Sequence, residues 1–223
     1  MQRVVSSFAL IGLAAWSVPA SAQSPAASDT TAPNGAAWQL GPFVGGARHS
    51  PITSNLGATP GRDHLFVGVE AVTSMVRLGA LQLRYAAQVL PLVVITGRTV
   101  PLGYRGPRAP DGLLPTPDRV YATGLSPFGL ELATPLEHRL SVFAATSAGA
   151  LLFTRPFPVP EARRLNFTLE YGGGVRLRTT RTAWVRVGYK HHHLSNAYTA
   201  LMNPGLDARV VYVGYEWTVR LPR

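Results

Sequence analysis

The sequence predicts an all-β fold, an eight-stranded antiparallel transmembrane outer-membrane β-barrel. Apolar and polar residues alternate with a period of two along eight segments, which is typical of strands with one apolar face. The connections between these segments alternate between short and long, as in barrels with short periplasmic turns and longer outer loops. No stretch offers the roughly 20 apolar residues that a membrane-spanning helix needs, so a helical membrane protein is excluded.

The predicted strands occupy most of the chain after residue 37. Tight connections are predicted at 77–80, 135–138 and 180–181, and long ones at 50–63, 95–119, 155–163 and 196–207. The alternation is cleanest in the third, sixth and eighth strands and poorest in the first and fifth. The eight predicted strands are 38–48, 64–76, 81–94, 120–134, 139–154, 164–179, 182–195 and 208–221.

The alternation also predicts which side chains face lipid. We expect the odd-numbered, mostly apolar residues of the third, sixth, seventh and eighth strands to lie outside the barrel. Eight strands leave an interior that side chains fill, and acidic and basic groups there can pair. Residues expected inside are Arg84, Gln88, Glu131, Glu170, Arg176 and Glu216. Aromatic residues expected in an outer girdle are Tyr85, Tyr171, Tyr189, Tyr215 and Trp217.

The first 22 residues are typical of an export signal. Arg3 supplies a positive charge, residues 8–16 form a short apolar core, and Ala20-Ser21-Ala22 is a small-x-small cleavage site. The alternative is an uncleaved anchor. Residues 23–36, rich in Ser, Ala, Pro and Thr, predict a flexible linker, and 37–223 the barrel domain.

The chain is basic, with 21 Lys and Arg against 11 Asp and Glu and a net charge of +10. This charge favours an anionic partner. No nucleic-acid motif is present and export argues against nucleic acid, so phosphorylated membrane lipid is the expected partner. Arg98, Arg105 and Arg108 of the longest loop are expected to face its phosphates. With no cysteine, neither disulfides nor thiolate metal sites are possible, and no cofactor is expected.

The seventh strand and its following loop contain a pattern that suits nucleophilic catalysis. His193 and Ser195 lie two residues apart on one face, roughly 7 Å between Cα atoms, so the imidazole can reach the hydroxyl. Asp207 lies across the hairpin and can orient the imidazole as base. Asn196 and the backbone N–H groups that follow Ser195, including that of Ala197, are candidates to stabilise an oxyanion.

Other interpretations of this segment remain open. His191 and His193 share a face and might bind a metal, although no carboxylate cluster accompanies them. The three consecutive histidines might instead form a polar patch at the membrane interface. The whole chain might be a non-enzymatic barrel with a structural or adhesive role, or a soluble lipid carrier whose apolar face points inward.

The segment His193-Leu194-Ser195-Asn196-Ala197, followed by an acidic residue twelve positions after the serine, resembles the motif of lipid A 3-O-deacylases of the PagL type (acyloxyacyl hydrolase-like). The resemblance implies an eight-stranded outer-membrane barrel that removes the ester-linked 3-position acyl chain from lipid A of lipopolysaccharide. It implies His193 as base, Ser195 as nucleophile, Asp207 as orienting acid and Asn196 in the oxyanion hole. The chain departs from that pattern with Asp207 in place of Glu and Tyr198 in place of Gly.

Overall fold

The computed structural model describes residues 37–48, 61–97, 118–158, 160–201, 203 and 205–220. They form a closed barrel in which each strand pairs antiparallel with the next and β8 pairs with β1. The predicted fold class is therefore confirmed. The strands are β1 (Ala37–Ala47), β2 (Asp63–Leu78), β3 (Leu81–Gly97), β4 (Asp118–Ala133), β5 (Leu140–Phe153), β6 (Leu165–Arg178), β7 (Ala183–Ser195) and β8 (Leu206–Arg220).

All eight predicted strands are present, including the first and fifth, whose alternation is weak. β5 contains the run Ala144-Ala145-Thr146-Ser147-Ala148, in which small side chains blur the contrast between its faces. The short connections at 79–80, 134–139 and 179–182 lie at one end of the barrel, which we call the turn end, and the long connections lie at the loop end. The predicted signal and linker, and Arg98, Arg105 and Arg108, lie outside the described residues.

The barrel exterior is apolar along the predicted faces. Phe167, Leu169 and Val213 have exposed fractions of 44%, 51% and 46%. The prediction for β3 is wrong beyond Leu90, because a register shift between Leu90 and Val93 reverses the alternation and turns Val93 inward. An exterior this apolar is suited to lipid and not to water, which excludes a soluble carrier with an inward apolar face. None of the described residues form a helix long and apolar enough to cross a membrane.

The interior of the turn end holds a network of ion pairs. Glu131 contacts the guanidinium groups of Arg84 at 2.8 Å, Arg186 at 3.2 Å and Arg176. Arg176 also contacts Glu216 at 2.9 Å. The predicted pairing of interior charges is confirmed. Each buried charge meets more than one partner, which offsets the cost of removing it from water.

The interior of the loop end differs from the prediction, because large apolar side chains lie there among the buried polar ones. Phe66, Val93, Phe153 and Leu206 are fully buried there. Toward mid-barrel, a cavity of about 20 Å³ beside Lys190 has room for about one water molecule. Polar and apolar side chains together fill the described interior.

Glu131 should be the most sensitive position of the ion network. We expect Glu131→Leu to lower the free energy of unfolding by about 3–5 kcal/mol, because three buried guanidinium groups lose a shared partner. Urea titration of the folded barrel in detergent measures this change. Glu137→Leu, at an exposed turn position, is the control and should have little effect. A loss below about 1 kcal/mol for Glu131→Leu would contradict this account.

Candidate active site

The three predicted catalytic residues lie at the loop end of the barrel, at outward-facing positions of β7 and β8. His193 is the direct cross-strand partner of Asp207 in the β7–β8 hairpin. His192 and Leu194 face the interior and are 0% and 1% exposed, so the alternation turns His193 and Ser195 outward. The site therefore opens toward the surface that faces lipid.

The imidazole of His193 is held by Asp207. Its Nδ1 lies 2.6 Å from Oδ1 of Asp207, a short charge-assisted hydrogen bond. With the proton on Nδ1, the lone pair is on Nε2, as a general base requires. Gly205 lies against the ring, since a Cβ there would be 3.1 Å from Cε1 of His193. The carboxylate and this close approach together fix the orientation of the imidazole.

Ser195 lies near His193 but is not yet engaged by it. The Ser195 hydroxyl makes no hydrogen bond to any described residue. The two Cα atoms are about 7 Å apart, the usual i to i+2 distance in a strand. Catalytic hydrogen bonds often form or tighten only when substrate binds.

A second histidine, not assigned a role from the sequence, also contacts the carboxylate. His191 Nε2 lies 3.4 Å from Oδ1 of Asp207, and the His191 ring stacks on Tyr171 with centroids 4.9 Å apart. In the sequence, the position of His191 two residues before His193 is what indicates that the two side chains share a face. The imidazoles of His191 and His193 therefore contact the same carboxylate. Among the described residues, no group of three or more His, Asp or Glu side chains is arranged to hold a metal ion.

His192, the central histidine of the three, belongs to the interior. Its Nδ1 lies 2.7 Å from Oε1 of Glu170, which also contacts Lys190 at 2.8 Å. It is fully buried and points away from Ser195, as the alternation predicts. The three consecutive histidines therefore divide between two environments and do not form one surface patch.

The loop after Ser195 forms a tight turn. The backbone N–H of Thr199 donates to the carbonyl of Asn196 at 3.1 Å, and both central residues, Ala197 and Tyr198, have positive φ, 52° and 59°. The backbone N–H of Asn196, an oxyanion candidate, donates to Oδ1 of Asn203 at 2.8 Å. The Asn196 side chain is buried, so the backbone N–H of Ala197 is the remaining candidate.

The surface beside the site, on the β6 side, is apolar. Phe167 is the cross-strand partner of Ser195, and Leu169 that of His193. Leu169 in turn is opposite Ala148 of β5, which is opposite Phe128 of β4. This row forms part of an exterior groove of about 370 Å³. The groove is lined by Tyr85, Phe128, Gly129, Leu130, Thr146, Ser147, Ala148 and Leu169.

Comparison with known proteins gives a family and a fold. Residues 106–216 match the family model described as lipid A 3-O-deacylase (PagL), a span that includes His193, Ser195 and Asp207. The crystal structure of the outer membrane enzyme PagL is similar with a TM-score of 0.54 and 12% identity, over 78% of this chain and 97% of that chain. At this identity the likeness concerns the fold alone.

Two further barrels are similar to this chain in shape only. Neisserial surface protein A has a TM-score of 0.47 and 9% identity, covering 81% of this chain and 96% of its own. Ail of Yersinia pestis has a TM-score of 0.46 and 8% identity, covering 83% and 99%. No curated protein has a significantly similar sequence.

The backbone conformation of Tyr198 should lower the free energy of unfolding of the barrel. A positive φ of 59° is unfavourable for a residue with a Cβ, by about 1–2 kcal/mol, and costs glycine little. We therefore expect Tyr198→Gly to be more stable to unfolding than Tyr198→Ala by about 1 kcal/mol. Both variants remove the exposed ring, so the comparison isolates the backbone. Equal unfolding free energies in detergent would contradict the explanation.

Proposed function

The chain belongs to the lipid A 3-O-deacylase (PagL) family of hydrolases, and from this premise we propose that His193, Ser195 and Asp207 remove the ester-linked acyl chain from the 3-position of lipid A. It is an outer-membrane β-barrel, so its exterior meets lipopolysaccharide directly. The observation that carries the proposal is the 2.6 Å contact between His193 and Asp207 on that exterior, with Ser195 two residues away on the same face. A purely structural or adhesive role would not require this arrangement.

The proposed reaction is acyl transfer in two steps. The Ser195 hydroxyl attacks the acyl carbonyl while Nε2 of His193 takes its proton, and Asp207 stabilises the imidazolium. The tetrahedral intermediate then expels the sugar oxygen, which receives the proton from His193. Water repeats the sequence on the acyl-serine, releasing the fatty acid and restoring the hydroxyl. The developing oxyanion would be stabilised by the backbone N–H of Ala197, and by that of Asn196 if it leaves Asn203.

The apolar groove supports this assignment, because a lipid ester needs a place for its chain. The groove includes Leu169, the cross-strand partner of His193, and extends through β5 and β4 to Tyr85 of β3. Four neighbouring strands span about 14 Å at the usual spacing of 4.7–4.9 Å. An acyl chain can therefore lie along the barrel surface with its ester at Ser195, without leaving the membrane.

Loss of either reacting side chain should abolish deacylation without unfolding the barrel. We expect Ser195→Ala and His193→Ala each to lower activity about 10⁴-fold or more, and the double variant little further, because triad members act as a unit. Mass spectrometry of lipid A, with release of a 3-hydroxy fatty acid, measures this. Ser74→Ala and His138→Ala, at exposed positions near the turn end, are matched controls. Full activity in Ser195→Ala would refute the mechanism.

The acid position tests the fit of the shorter side chain. Aspartate already reaches His193 from the directly opposite position, so a glutamate at 207 must fold its extra methylene away or displace the imidazole. We expect Asp207→Glu to lower kcat/KM by about tenfold, since small misplacements of a base are costly. Asp207→Asn should lower it more, because the imidazolium loses its counter-charge. Equal or higher activity in Asp207→Glu would mean that the site does not depend on the shorter acid.

A further inference from the structure

We propose that Arg48 and Arg209, which we call the arginine pair, bind a phosphate group of the lipid A substrate beside the candidate triad. The inference rests on the proposed function and extends it, because it assigns a site for the anionic part of the substrate. It would also explain how a lipid with several ester bonds is placed so that one of them meets Ser195.

The β-sheet register places the arginine pair next to the site. Arg209 is the cross-strand partner of His191 and lies two residues from Asp207 on the same outward face of β8. In the β1–β8 pairing, Gly46 is opposite Val211. Continuing that register by two residues brings Arg48, directly after β1, opposite Arg209.

Both guanidinium groups are exposed and lack an ionic partner. Neither Arg48 nor Arg209 makes a hydrogen bond or ion pair to another described residue. Two like charges at opposed positions of neighbouring strands repel. Arginine on a lipid-facing barrel surface is also unfavourable, although less so near the interface. A bound anion would relieve the repulsion and satisfy both groups.

The chemistry of the pair fits phosphate in particular. Guanidinium groups bind phosphate oxygens with two parallel hydrogen bonds, and these charge-assisted bonds are stronger than neutral ones. The exterior around His193 is also asymmetric: apolar side chains lie on the β6 side and the two cations on the side of β8 and β1. A phosphorylated acyl-sugar has the same asymmetry. Its acyl chain would lie over Leu169 and its phosphate over the arginine pair, with the ester between them.

The test compares one lipid with and without its phosphates. Purified barrel in detergent would be assayed on lipid A free of core sugars, either bisphosphorylated or fully dephosphorylated. We expect the double variant Arg48→Gln/Arg209→Gln to lose about tenfold to a hundredfold in kcat/KM on the phosphorylated lipid. On the dephosphorylated lipid it should remain within about threefold of the unmodified protein.

The matched control is Arg119→Gln, because Arg119 is also exposed near the loop end of an outward face but lies on β4, across the barrel. It should not change the preference between the two lipids. Equal losses of the double variant on both lipids would overturn the proposal, since the arginines would then act on the Asp207 carboxylate. An unchanged rate on both lipids would also overturn it.

A binding measurement separates this inference from the proposed function. In a Ser195→Ala background, binding of bisphosphorylated lipid A should weaken by a similar factor when the arginine pair is replaced, whether or not any ester is cleaved. If the unmodified protein failed to deacylate lipid A but still bound it through the two arginines, the proposed function would fail and the phosphate site would stand. Binding that does not depend on the arginines would exclude the site.

Discussion

Closure of the sheet is the constraint from which the other features of this barrel follow. In hydrocarbon no water can satisfy a free backbone N–H or C=O group, so a spanning sheet must pair its first strand with its last. Here β8 pairs with β1, and every strand has two neighbours. In a closed, pleated sheet each side chain points either toward lipid or toward the interior. Ion pairs and apolar side chains then fill the space inside.

The strand register also fixes the relative positions of residues in the candidate site. Asp207 and His193 meet because they are opposed in a hairpin whose pairing runs without interruption from Ala183 to Leu194. Asp207 and His193 both lie within paired strands, while Ser195, the proposed nucleophile, is the last residue of β7. Placement on strands near a membrane edge allows a polar site to coexist with an apolar exterior.

Much of the fold could be predicted because alternation reports directly on the direction of side chains. The outward positions of Phe167 and Val213 and the inward position of Glu131 follow from their parity alone. The inversion in β3 could not be predicted, since it depends on a bulge near Leu90 that is set by pairing with β4. The apolar packing around Val93 depends on the same bulge, so it could not be predicted either.

The contact between His193 and Asp207 could be predicted from the sequence, because the two residues are opposed in a hairpin. Other contacts of the candidate site could not. The contact of His191 with the same carboxylate and the hydrogen bond from the Asn196 backbone to Asn203 depend on side-chain conformations that no spacing specifies. Tyr198 is informative here, because its positive φ gives a physical reason why the related motif usually has glycine at this position.

Covalent labelling of the nucleophile tests the central claim most directly. The folded barrel would be treated with a long-chain sulfonyl fluoride, and the modified peptide would be identified by mass spectrometry. The account predicts a single adduct on Ser195 that forms slowly when His193 is replaced and is suppressed by lipid A. Labelling of a different residue, or deacylation of lipid A by a barrel in which Ser195 never reacts, would contradict it.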